Sequence, residues 1–225
     1  MLLNYSARIN QIKNDFIHTY KHPYIDESIY KDLLTDEQLH FYVQLFNQIK
    51  DYKNKETLFY SLLHIQCSID VHDQIELHFA SNINDMDFEI KQLKILVGDY
   101  HSALFYKLLT KNHLLDELYH FITTIKNINQ AKMTFIHYEE LKELKSNQLF
   151  DDLEMIYAGL FDAFNEFFNI NDYETKWKPL IYYYLIYNQD QAKWVRYLKQ
   201  IDDQHKEAFL TIQNDLSKRV NQINV

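Results

Sequence analysis

Helix throughout, with no sheet, is the architecture to expect of this chain, and three features point to it. Only two Gly and two Pro occur in 225 residues, where average usage is about 7% and 5%, and β-rich folds need such residues at their turns. Gly98 and Gly159 stand far apart, so the clustered glycines of a Rossmann crossover or a phosphate-binding loop are excluded. Apolar residues recur at helical spacing almost from end to end.

The elements follow in order. Residues 2–20 read as a first helix, closed by His22-Pro23-Tyr24, because Pro disfavours helix in the residue before it. Thr35 is placed to cap a second helix reaching about Lys50, with Asp36 and Glu37 in the first turn where the dipole favours acids. A third runs from about Glu56 to Phe79, with Leu58, Leu62, Ile65 and Ile69 on one stripe. Ser81 to Asp87 reads as a polar loop. Further helices are expected over about 88–110, 113–145, 148–169, 174–187 and 189–222, with Pro179 early in the seventh. No repeat, low-complexity tract or linker interrupts them, so the expectation is one domain over 1–225.

Composition excludes several function classes. The chain is 47% hydrophobic with a mean hydropathy of −0.42, and its longest apolar run, Leu180 to Tyr187, is far short of the ~20 residues of a bilayer span. Met1 to Arg8 has neither the basic nor the apolar region of an export signal. Cys67, alone, can form no intrachain disulfide, which fits a reducing cytoplasm. The charge of −9 leaves no electrostatic footprint for nucleic acid. Arginine, the usual bidentate phosphate ligand, occurs only at positions 8, 196 and 219, which argues against a self-contained diphosphate site. The 16% aromatic content suits protein interfaces; the codon bias of an AT-rich genome explains it equally well.

The helix over 88–110 is apolar nearly all round, at Ile90, Leu93, Ile95, Leu96, Val97, Tyr100, Ala103, Leu104, Phe105, Tyr106, Leu108 and Leu109. A surface helix shows one stripe about 100° wide. This one wants cover on two sides, either as a central core helix or as a helix shared with a partner subunit.

Two constellations could carry chemistry. Glu37-Gln-Leu-His40 and Glu117-Leu-Tyr-His120 repeat the Glu-x-x-His of di-iron bundles, although Glu37 is also explained by its helix start and chance matches are common among 11 His and 32 acids. Asp70, Asp73 and Glu76 fall at three-residue steps, with Asp70 and Asp73 on one face. They could hold Mg²⁺ through substrate phosphates or form a solvated acidic stripe.

Leu63 to Glu76, followed after a loop by Leu93-Lys-Ile-Leu-Val-Gly-Asp-Tyr-His-Ser-Ala-Leu, resembles the long-chain trans-prenyl diphosphate synthases. Catalytic members carry a His-Asp-Asp-x-x-Asp helix and, a little over twenty residues on, a Leu-x-Gly-Asp-(Tyr/Phe)-Leu-x-Ala helix. His22-Pro-Tyr24, Ile69-Asp-Val-His-Asp73, Gly98-Asp-Tyr100 and Ile128-Asn-Gln-Ala-Lys132 are similar to the small subunits (component I) of bacterial heptaprenyl diphosphate synthases. The resemblance is strongest over 55–140. It implies an all-α helical bundle with the isoprenoid synthase fold.

On the catalytic pattern, His72 and Asp73 match, but Gln74 stands where the second Asp belongs and Leu77 where the last does; Glu76 is one position off. No arginine lies between Leu77 and Phe88 to match the family's Arg-Arg-Gly segment, and no second Asp-Asp-x-x-Asp exists: Asp151-Asp152 ends in Met155, Asp202-Asp203 in Lys206. The resemblance therefore implies a chain with no catalytic residues and no metal or cofactor of its own, inactive alone. Its heterodimer partner would be a catalytic subunit carrying both aspartate-rich motifs and Mg²⁺. It also implies a dimer surface on the helices at about 88–110 and 113–138, through Leu93, Leu96, Val97, Gly98, Asp99, Tyr100, Leu104, Leu118, Ile122 and Ile125. Gly98 would permit close helix approach, and Asp99 would satisfy a neighbour rather than a metal. Phe59, Tyr60, Tyr100 and Phe105 become candidates for lining an elongation tunnel. The rival readings are a hexaprenyl small subunit, a free-standing helical interaction protein and a di-iron bundle.

Overall fold

A computed structural model of the chain describes the backbone of residues 2–30, 32–75, 85–137 and 146–223, and the side chains of 8–30, 32–75, 88–137 and 147–223. The fold is all-α, with no strand among the described residues. No helix among them is long and apolar enough to cross a membrane. The chain divides into two compact units, Met1–Leu115 and Asp116–Val225.

The first unit holds α1 (Leu2–Tyr20), a 3₁₀ turn (Glu27–Tyr30), α2 (Asp36–Phe46), α3 (Lys55–Asp73) and α4 (Asp85–Lys111). Thr35 caps α2 as expected: its side chain accepts from the Gln38 N–H at 3.2 Å while Gln38 Oε1 accepts from the Thr35 N–H at 2.7 Å, a reciprocal capping box. α4 starts at Asp85, so part of the expected polar loop is helical. The expected end of the third helix, 74–79, falls partly outside the described residues, which stop at Ile75. α4 ends in a Schellman motif: His113 is left-handed (φ 58°), its N–H reaches Thr110 O at 3.1 Å, and the Leu114 N–H reaches Leu109 O at 2.9 Å.

α3 is the core helix. It packs along α4 and buries Leu58, Leu62, Leu63, Ile65, Cys67, Ile69 and Val71 together with Ser61, His64, Gln66 and Ser68. α4, by contrast, buries Val97, His101, Phe105 and Leu109 and leaves Phe88, Ile90, Ile95, Leu96 and Tyr106 exposed. Its second apolar face has no cover among the described residues, so the central-helix reading of 88–110 belongs to α3 instead.

The second unit holds α5 (Leu115–Ile136), α6 (Ser146–Phe168), α7 (Lys178–Tyr182) between π turns at Tyr173–Trp177 and Tyr183–Tyr187, α8 (Lys193–Ile201) and α9 (Asp203–Gln222). The expected helix over 113–145 is observed to Ile136; residues 138–145 lie outside the described residues. The expected single helix over 189–222 is two. Asp202 is extended (φ −162°, ψ 167°), and its carboxylate accepts from the His205 N–H at 2.8 Å, so Asp202-Asp203 opens α9 as cap and first-turn acid rather than continuing a helix. α5 meets α6 where Gly159 faces Ile128 and where His120 Nε2 donates to Ala163 O at 2.8 Å. Phe135 meets Trp194 of α8, ring centroids 5.7 Å apart.

α6 carries carboxylates on its inner face. Asp162 accepts from the Tyr173 and Tyr182 hydroxyls at 2.8 and 3.0 Å, and Glu154 from Tyr187 at 2.9 Å. Burial pushes the Glu154 carboxyl up to about 7, against the hydrogen bond from Tyr187. The folded chain therefore keeps a proton that the unfolded chain releases near pH 4.5. Its contribution to stability is complete below that pH and is lost as pH rises toward 7, by about 2 kcal/mol after allowance for partial solvation. Urea midpoints are expected to fall between pH 5 and 7.5, and Glu154→Gln to flatten that slope.

Candidate functional site

Three successive residues at the centre of α4, Gly98 to Tyr100, each meet a residue that the sequence singled out. Gly98 lies under the His72 imidazole: a Cβ built there would stand 2.6 Å from His72 Cε1 and 2.8 Å from Cδ2. Gly98 thus lets α3 and α4 approach, as expected, and what it admits is the histidine of the aspartate-rich segment. Asp99 Oδ1 is 3.8 Å from His72 Nε2, at the protein surface. Tyr100 meets His22 edge to face, ring centroids 5.8 Å apart. His101 is fully buried. The three separated motifs of this unit, His22-Pro-Tyr24, Ile69–Asp73 and Gly98–Tyr100, are therefore neighbours on one stretch of α4.

Beneath them runs a polar chain that composition and spacing did not reveal. The Tyr30 hydroxyl lies 3.0 Å from His101 Nε2, and His101 Nδ1 lies 2.8 Å from His64 Nδ1. Two neutral imidazoles make the Nδ1–Nδ1 contact with one Nδ1 protonated and the other accepting. Burial holds both imidazoles neutral, His64 down to about 3 and His101 to about 4. Phe16 and Tyr20 enclose His64, at centroid distances of 4.8 and 4.5 Å. The chain ties α1, α3 and α4 together below the motifs.

The acidic segment divides by what its carboxylates hold. Asp70 is turned into the core. Oδ2 accepts from the Leu34 N–H at 3.0 Å, and Oδ1 from Gln66 Nε2 at 2.7 Å and Gln38 Nε2 at 3.2 Å. Burial raises its carboxyl to about 6, against those three hydrogen bonds. Leu34 is left-handed (φ 52°), so Asp70 anchors a backbone conformation that is unfavourable for leucine and, through Gln38, the capping box of α2. Of the two, Asp70 is committed to the fold by these bonds. Glu76 and Leu77 lie outside the described residues.

The donor set does not fit Mg²⁺ held through a diphosphate, which wants several carboxylate or phosphate oxygens. With Asp70 committed and His72 over Gly98, the segment presents Asp73 and the amide of Gln74. Among the described residues no three His, Cys, Asp or Glu stand together as ligands. Of the Glu-x-x-His pairs, Glu37 is exposed, His40 is half-buried, Glu117 is buried and His120 is bonded to Ala163 O.

The expected interface residues fall in three classes. Leu96, Asp99 and Ile122 are exposed; Leu93, Tyr100, Leu104, Leu118 and Ile125 are half-buried; Val97 and Gly98 are buried. Of the tunnel candidates, Phe105 is fully buried, while Phe59, Tyr60 and Tyr100 are half-buried. Phe59 meets Phe46, and Tyr60 meets Tyr20.

Gly98→Ala is expected to push His72 out of its seat and lower stability by about 1 kcal/mol. In a His72→Ala background the same change should stabilise, because Ala is the better helix former by up to ~1 kcal/mol. Denaturant unfolding of the four chains measures both signs.

No solved structure matches the chain. Residues 22–225 match the family described as heptaprenyl diphosphate synthase (HEPPP synthase) subunit 1. That span takes in His22-Pro-Tyr24, the segment around His72, Gly98-Asp-Tyr100 and Ile128–Lys132, and with it the chain belongs to the heptaprenyl diphosphate synthase subunit 1 family.

Proposed function

We propose that this chain is the non-catalytic subunit of a heterodimeric all-trans heptaprenyl diphosphate synthase, acting in the cytoplasm in menaquinone side-chain synthesis. The observation that carries the reading is a family match over residues 22–225 in a chain whose aspartate-rich segment has lost its second and last Asp. The partner subunit, with both aspartate-rich motifs and Mg²⁺, ionises farnesyl diphosphate and joins isopentenyl diphosphate to the allylic cation, repeatedly. This chain completes the dimer and shapes the tunnel for the growing tail.

The uncovered apolar face of α4 supports a role in association, with Leu96 at 62% exposure, and Ile122 is exposed on α5. Leu93, Val97, Gly98, Asp99, Tyr100, Leu104, Leu118 and Ile125 complete the proposed interface set, the buried members acting by shaping the helix surfaces. A seven-isoprene tail is about as long as a 20-residue helix, roughly 30 Å, so its tunnel runs along packed helices. Phe59, Tyr60, Tyr100 and Phe105 are the proposed lining residues.

Mixing the purified chain with its catalytic partner and resolving products by length tests the reading. Seven-unit product only from the mixture supports it; six-unit product would make the complex a hexaprenyl enzyme; no effect on the partner would overturn it. Tail length tests the tunnel separately. Each added isoprene buries five carbons at about 0.8 kcal/mol per CH₂, so admitting one more unit favours the longer tail by about 4 kcal/mol. Alanine at one or more of the four lining residues is expected to lengthen the product. An unchanged product from every active variant would leave the chain as a support that does not set length.

A further inference from the structure

α5 carries two seven-residue patterns on opposite faces. Glu117, Phe121, Thr124, Ile128, Ala131 and Phe135 are buried. Leu115, Tyr119, Ile122, Lys126, Asn129, Met133 and Ile136 are all exposed, Leu115 at 59%, Tyr119 at 78% and Met133 at 54%. The second set is spaced by alternating steps of four and three residues, the spacing of a helix seam that packs against another helix. It runs about 32 Å, the length of the helix, and is apolar at both ends with Lys126 and Asn129 at its middle.

We propose that this seam receives a helix of the catalytic subunit that presents a carboxylate opposite Lys126, and that Lys126 makes the seam select that subunit over a second copy of this chain. The inference rests on the two-subunit reading above and adds to it the residue that decides which chain may pair.

The argument is one of charge and register. No Asp or Glu occurs on α5 beyond Glu117, so Lys126 has no acidic residue one turn away on its own helix. Two copies packed in parallel register would place one Lys126 directly against the other. Packed antiparallel with the full seam overlapping, the two Lys126 stand within about 6 Å along the axis, roughly one turn. In every such self-pairing two cations meet at the centre of an apolar seam with no carboxylate within a turn of Lys126 on either strand. Like charges at an interface suppress the wrong partner, and a single polar residue at a seam position is a known means of fixing partner choice and register. A partner helix with Asp or Glu at that point turns the same lysine into a favourable contact, whose aliphatic stem still covers apolar neighbours.

The test uses the full chain and the full catalytic subunit. By sedimentation, the wild-type chain is expected to be monomeric, Lys126→Leu to self-associate, and a one-to-one mixture of wild type with Lys126→Glu to pair where neither does alone. In titrations with the catalytic subunit, Lys126→Glu is expected to weaken binding at least about tenfold, while circular dichroism stays that of wild type because position 126 is exposed. Wild-type self-association abolished by Ile122→Asp would show that the seam takes a second copy and overturn the proposal. Equal binding of the catalytic subunit by wild type and Lys126→Glu would overturn it too. Failure of the wild-type chain to bind any catalytic synthase subunit defeats the two-subunit reading instead, and the self-association arms still decide whether Lys126 governs the seam.

Discussion

Given farnesyl diphosphate, isopentenyl diphosphate and Mg²⁺, the purified chain is expected to form no longer prenyl product, with a rate at least about 10⁴-fold below that of the complex. The reasoning is electrostatic. Ionising an allylic diphosphate needs its developing charge neutralised, and each lost stabiliser costs about 10²–10³ in rate. This chain has Gln74 and Leu77 in place of two of the three carboxylates. The nearest substitute by sequence, Asp70, already accepts three hydrogen bonds in the core. Turnover by the chain free of partner, measured with labelled isopentenyl diphosphate, would overturn the non-catalytic reading. Asp73→Asn in the complex should change the rate by no more than a few-fold, since the partner supplies the metal site.

Asp70→Ala is expected to destabilise the chain by about 4 kcal/mol, read from urea unfolding, whereas Asp73→Ala three residues on should cost less than about 1 kcal/mol. Removing the Asp70 carboxylate strands the Leu34 N–H and the Gln38 and Gln66 amides, and each buried donor left unsatisfied costs about 1–3 kcal/mol. It also releases left-handed Leu34 and loosens the capping box that Gln38 completes. Asp70 and Asp73 are both half-buried, so the difference expected between them comes from the three donors that Asp70 holds. Asp70→Asn should fall between the two, because its amide nitrogen would face a donor. If both alanine variants unfold at the wild-type midpoint, the anchoring role of Asp70 is wrong.

Helix type and order were legible wherever a period, a cap or a breaker acts locally. Thr35 capped its helix as read, and the apolar stripe of Leu58, Leu62, Ile65 and Ile69 is buried. Errors fell where a local signal had two meanings. Asp202-Asp203 reads in sequence as a fragment of a metal motif and acts in the fold as a cap, so two helices occur where periodicity alone gives one. The motifs were also legible, and their order along the chain was enough to suggest the family. Their mutual contacts were not. Nothing in spacing says that His72 rests on Gly98 or that Tyr30, His101 and His64 form one hydrogen-bonded line, because those residues are brought together by packing across tens of residues.

Composition and periodicity alone determined an all-helical chain, and the resemblance to the prenyl synthases implied an aspartate-rich segment with Gln74 and Leu77 in place of carboxylates, because both properties reside in single residues and their nearest neighbours. Which helix forms the core, and which apolar faces remain uncovered, only the tertiary structure decided. α3 and α4 are about equally apolar in sequence; what distinguishes them is that α3 is enclosed and α4 is covered on one face. The same holds for Asp70 and Asp73, equivalent by helical spacing and both half-buried, of which packing set the first against the Leu34 N–H and the Gln38 and Gln66 amides. Burial depends on what the rest of the chain places alongside a residue, and helical spacing carries no record of that.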